Sequence, residues 1–125
     1  MLATIATVLA GLIGAGVILM GTGSFWAPQG AAGFGIPDSP TEDPAFRSWL
    51  AVKGMRDIGA GLLILVVVFG GSTTLLGWTL LAATAIPVGD AVIVLRAKGP
   101  KSAAYGVHGA TALVMLVISV LLLIA

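Results

Sequence analysis

No cysteine occurs anywhere in the 125 residues. A disulfide framework, a thiolate nucleophile and a cysteine-ligated metal are therefore all excluded. A single histidine further excludes a multi-histidine di-iron centre or a bis-histidine haem built by one chain. Charge is scarce as well. Asp, Glu, Lys and Arg make up 9% of the chain, against about a quarter in soluble domains. A net charge of +1 and the lack of any long basic run leave no footprint for nucleic acid. What remains is apolar: hydrophobic residues are 58% of the sequence and the mean hydropathy is +1.13. Too little polar surface is left to cover a water-soluble globule. The chain reads as an all-α, polytopic membrane protein that calls for no cofactor. Its length allows one domain with about four spans of roughly 20 residues each.

Apolar runs set those spans at about 2–22, 45–70, 74–95 and 103–124, a four-transmembrane-helix bundle. The first run, Leu2 to Met20, is about 28 Å long as a helix. No Lys or Arg precedes it, and Gly11, Gly14 and Gly16 fill its middle. It reads as a retained helix against which a neighbour packs closely, not as a cleaved signal. Residues 23–44 read as an interfacial loop. Pro28, Pro37, Pro40 and Pro44 argue against regular helix there, while Phe25, Trp26, Phe34 and Ile36 hold it at headgroup level, as a lid over the bundle or as a mobile loop. Asp43 and Pro44 make an N-cap and first helical residue, and Gly70 and Gly71 make a short turn. With four spans, Arg47, Lys53, Arg56, Arg96, Lys98 and Lys101 all fall on one side. That side is then cytoplasmic in the cell membrane, and both termini lie on the non-cytoplasmic side.

The rare polar residues share a depth. Asp90 precedes Arg96 by six residues, His108 follows Lys101 by seven, and Arg56 and Asp57 lie just beyond Trp49. Each is about 9–12 Å below the same interface. Asp57 shares a helical stripe with Gly54 and Gly61, and His108 with Ala104, Thr111 and Ala112, so both point inward on faces where helices pack. Pro87 loosens the helix beside Asp90. Charged groups at the centre of a span cost about 2.5–3.5 kcal/mol each, so an Arg56–Asp90 or an Asp57–His108 pair is expected.

Arg56, Asp57, Asp90 and His108 form the candidate catalytic set. His108 transfers a proton, Asp57 sets its tautomer, Asp90 is a second acid or base, and Arg56 stabilises an oxyanion. Trp49, Lys53 and Tyr105 are the candidate ligand contacts. The plainer account is a ring of paired charges that only fixes which helices associate. The other basic residues then serve topology and headgroup contacts, and Trp26, Trp49 and Trp78 serve as interface anchors. "GLIGAG" and "GTG" follow no strand and carry no phosphate-binding reading.

At "KGMRDIGAGLL", "IPVGDAVIVL" and "YGVHGATALVM" the chain resembles a family of small four-span proteins known as domain of unknown function 4267, similar in layout to the DoxX-like group. The resemblance runs from about Pro44 onward and spans Arg56, Asp57, Asp90 and His108. It implies a four-helix membrane fold with no settled activity. DoxX-like relatives include quinone-linked subunits and sterol isomerases, a likeness of fold alone, and this chain lacks the several-acid pocket of such an isomerase.

Three function classes fit these residues. The first is a protein that binds a lipophilic small molecule and works by acid–base chemistry, such as isomerisation, epoxide opening or cyclisation, none of which needs a metal. The second is a non-catalytic subunit or scaffold that packs on a partner through Gly11 and Gly14. The third is a dimeric proton-coupled carrier loaded at Asp57 and Asp90. Membrane lipids and a lipophilic molecule are the expected partners, with homo-oligomerisation left open.

Overall fold

The computed structural model describes all 125 residues, and every regular element in it is helical. Helix α1 covers Leu2–Trp26 and α2 covers Pro44–Gly70; a 3₁₀ helix, Pro28–Phe34, lies between them. Helices α3 (Thr73–Ala83) and α4 (Ala85–Arg96) form one rod interrupted at Thr84. A last rod runs through α5 (Lys101–Ala103), a π-helical turn (Ala104–Gly109) and α6 (Ala110–Ile124).

Only 22 residues are buried, while large apolar side chains such as Leu12, Leu63, Phe69 and Leu113 stand more than half exposed. Bare in water, that surface would drive aggregation; in a bilayer it faces its own solvent. Leu2–Trp26, Thr73–Arg96 and Lys101–Ile124 are each long and apolar enough to cross a membrane. Three such helices mark a multi-pass membrane protein. Helix α2 is longer, at 27 residues, but its first half carries Arg47, Lys53, Arg56 and Asp57.

Glycines set the closest helix pair. Helices α1 and α2 run antiparallel, with Gly14 facing Gly61 and Gly21 facing Gly54. A Cβ on Gly54 would lie 2.6 Å from the Gly21 carbonyl oxygen, and one on Gly61 2.5 Å from that of Gly14. No larger residue allows backbones this near. Gly14 is therefore spent on a contact within the chain, which removes it from the surface through which a scaffold would grip a partner. The main core lies toward the end of the bundle where α1 begins and α2 finishes: Ala6, Ala10, Ile64, Leu76, Leu80, Met115, Ile118 and Leu122. A smaller one, Val94, Ala103 and Ala104 with Phe34 and Leu95 against it, sits at the opposite end.

The start of α2 matches the sequence reading. The Asp43 carboxylate accepts from the Phe46 amide at 2.8 Å, with Pro44 opening α2. The Ser72 hydroxyl caps α3 in the same way. Residues 23–44 differ from the expected loop. Helix α1 continues to Trp26, since nothing before Pro28 breaks it, and Pro28 starts the 3₁₀ helix, where its missing N–H is no loss. Pro87 acts one turn earlier than expected. Its ring denies the Ala83 carbonyl a donor, so the interruption falls at Thr84, three residues before the proline. The Thr84 hydroxyl turns back to the Leu80 carbonyl at 2.9 Å.

Candidate functional site

The site is built at the end of the molecule that holds Gly21, Gly54 and the smaller core. With its phase set by the Asp43 cap, α2 presents Phe46, Trp49, Leu50, Lys53 and Asp57 along one face at helical spacing. The Lys53 ammonium donates to Asp57 Oδ2 at 2.8 Å, an i,i+4 pair whose side chains are 41% and 21% exposed. Lys53 Nζ also lies 5.2 Å from the centroid of the Phe34 ring.

His108 enters from the other side, on the π-helical turn, and is 7% exposed. Its Nε2 lies 2.7 Å from the Phe34 carbonyl oxygen, and the two rings meet at 4.3 Å with a tilt of 52°. A carbonyl can only accept, so the Nε2 proton is fixed in place. The other nitrogen, Nδ1, faces Asp90 Oδ2 at 4.0 Å. The Phe34 carbonyl thus bonds the imidazole at one edge, and the Asp90 carboxylate lies beyond hydrogen-bond range at the other.

The 28–34 segment is held over the site by its last turn. Gly35, at φ +107, is buried against Val94 and Ala103, and Gly99 packs on its backbone. A side chain here would be strained in the left-handed region and would meet Ala103 Cβ at 2.7 Å. Beneath this lid lies a cavity of about 480 Å³ between the end of α1, the α2 face and His108. Small-molecule sites typically fall in the range of about 300–1,000 Å³, mostly apolar with a few convergent polar groups. Here those groups are Lys53, Asp57 and His108, with Ser24 and Ser39 at the wall. No three acids and histidines gather as a metal-ligand set.

Four of the residues singled out in the sequence line the cavity: Asp57, His108, Trp49 and Lys53. Asp90 stands directly behind His108. Arg56 does not join them. It is exposed and makes no ion pair, because a turn of about 100° from Asp57 carries it off the inward face. Tyr105 is 60% exposed and outside the cavity wall. Both expected ion pairs are replaced. Asp57 is taken by Lys53, one turn before it, and His108 faces Asp90. Phe34 had been singled out only as an interfacial aromatic; its contact with His108 crosses 74 positions and leaves no periodic trace. The π-helical turn that aims His108 has no composition signal either.

Residues 14–122 match the family described as Domain of unknown function (DUF4267), and the chain belongs to that family. The matched span begins at Gly14, inside the first helix, and takes in every side chain of the site. No curated protein and no solved structure matches the chain.

Proposed function

We propose that this member of the domain of unknown function 4267 family binds a lipophilic small molecule beneath the 28–34 lid and converts it by cofactor-free acid–base chemistry. One observation carries the reading. A largely apolar cavity of about 480 Å³ receives a lysine, an aspartate and a histidine from two different helical rods. Charged groups within a membrane protein are expensive and are commonly retained for function.

The same reading makes α2 a fourth span. Its apolar stretch from Ile58 to Gly70 and its glycine seam along α1 support that placement. All six basic residues then lie on one face, which is cytoplasmic by the positive-inside rule. The cavity sits just beneath that face, and both termini lie on the other side of the cell membrane.

His108 is the proton-transfer group. With the lid closed, the Phe34 carbonyl occupies its Nε2. When a ligand displaces that carbonyl, Nε2 faces the cavity; exchange with water that removes the Nε2 proton and places one on Nδ1 then lets Asp90 accept the Nδ1–H hydrogen bond. An Asp–His pair so oriented leaves an Nε2 lone pair as a general base. Lys53 supplies the positive charge that the sequence assigned to Arg56, beside the site where an oxyanion would form. Isomerisation, epoxide opening and cyclisation fit this equipment.

A second reading has its own observation: both imidazole nitrogens already face partners within the chain, as in a structural latch. Comparative lipid profiling of cells that express wild type, His108→Gln and Asp90→Asn separates the two. Gln keeps an N–H for Phe34 but no titratable base. Catalysis predicts that both variants abolish the lipid change that wild type produces; if His108→Gln retains it in full, the latch reading stands and the catalytic one fails.

A further inference from the structure

We infer that the cavity selects an uncharged amphiphile with a hydroxyl head, seated between Lys53 and Asp57. This names the ligand class of the site above and rests on that proposed function.

Charge balance points to it. Lys53 and Asp57 line the cavity as a closed pair at 2.8 Å. A carboxylate or phosphate brought to the Lys53 ammonium meets the Asp57 carboxylate at nearly the same range, so attraction and repulsion largely cancel. An ammonium brought to Asp57 meets Lys53 in the same way. What does not cancel is the loss of water from the ligand's own charge as it enters an apolar wall of Phe34, Trp49 and Leu50. Either ion is therefore disfavoured. In the closed state that first receives the ligand, the polar edges of His108 are turned to the Phe34 carbonyl and to Asp90, so the selection on entry falls to Lys53 and Asp57.

Hydrogen-bond capacity narrows the class further. An ammonium has three donors, and Asp57 takes one of the three on Lys53. The second oxygen of Asp57 makes no hydrogen bond within the chain. The pair therefore offers a free donor and a free acceptor side by side. A hydroxyl group, which donates one proton and accepts through its lone pairs, answers both at once; an ether or a ketone answers only Lys53. The apolar remainder of the ligand fills the space toward Met20 and Phe46.

The test uses the full-length protein in nonionic detergent and native mass spectrometry. Dodecanol, dodecanoate and dodecylammonium are compared, with occupancy normalised to the mole fraction of each probe in the micelle. The expected result is at least tenfold tighter binding of dodecanol than of either ion. Removing one charge should then break the balance: Asp57→Asn raises dodecanoate above dodecanol, and Lys53→Met does the same for dodecylammonium. Binding of dodecanoate to wild type as tightly as dodecanol overturns the selection while leaving a lipophile-binding cavity. Failure of all three probes to bind overturns both the selection and the proposed function. The comparison on wild type needs no variant to fold.

Discussion

Substituting Gly54 by Ala tests the glycine seam that brings α1 against the site-bearing face of α2. The new methyl would lie 2.6 Å from the Gly21 carbonyl oxygen, 2.8 Å from Ser24 Cβ and 3.2 Å from Phe25 Cε2. The first of these atoms belongs to helix backbone and cannot turn aside, so α1 itself must retreat. Forcing one carbon into such a contact costs about 1–3 kcal/mol. Alanine also stiffens a helix relative to glycine, by about 0.8–1 kcal/mol, which partly hides the clash. Gly59 supplies the correction. It sits on the same helix with nothing within 4 Å of a built Cβ, so Gly59→Ala shows the propensity gain alone. The difference between the two variants then isolates the steric term, expected at about 1–3 kcal/mol. Equilibrium unfolding in mixed micelles titrated with dodecyl sulfate, followed by far-ultraviolet circular dichroism, measures it. If Gly54→Ala matches Gly59→Ala to within about 0.5 kcal/mol, the scatter of neutral substitutions, then the helices are not in the contact described.

The lid and the membrane orientation each give a further expectation. Gly35→Ala forces a left-handed residue into Ala103, so it should loosen the 28–34 segment and speed hydrogen exchange there at least tenfold, with α1 protection unchanged; unaltered exchange refutes the clamp. With no native cysteine in the chain, single cysteines report sidedness cleanly. Gln29→Cys and Ser102→Cys should be labelled by an impermeant maleimide only from the cytoplasmic face, and Ser72→Cys only from the other; labelling of Gln29→Cys and Ser72→Cys from the same face eliminates α2 as a span.

What the sequence disclosed about this site was depth, and what it withheld was rotation. Counting residues from the basic flanks brought Asp57, Asp90 and His108 to one level, because rise along a helix is constant. Small residues beside Asp57 and His108 told which faces turn inward. Which acid meets which base depends on the roll of each helix about its axis, and there the reading went astray. His108 lies on the π-helical turn at Ala104–Gly109, where a count of 3.6 residues per turn no longer gives a side chain's direction. The Lys53–Asp57 pair was within reach of the four-residue rule, yet Lys53 had been read as a ligand or headgroup contact and not as a partner for Asp57. Phe34 lay beyond any local pattern. Its approach to His108 is set by a clamp at Gly35, which depends on Val94, Gly99 and Ala103 from other parts of the chain.

The interruption at Thr84 divides the labour of the rod that contains it. Leu76 and Leu80 belong to the larger core on one side of it, and Val94 to the smaller core on the other, with Asp90 between the joint and that second cluster. The Ala83 carbonyl, left without its helical donor by Pro87, marks the joint between the two halves. The bundle thus keeps its broad apolar packing at one end and its few charges at the other, on opposite sides of the joint.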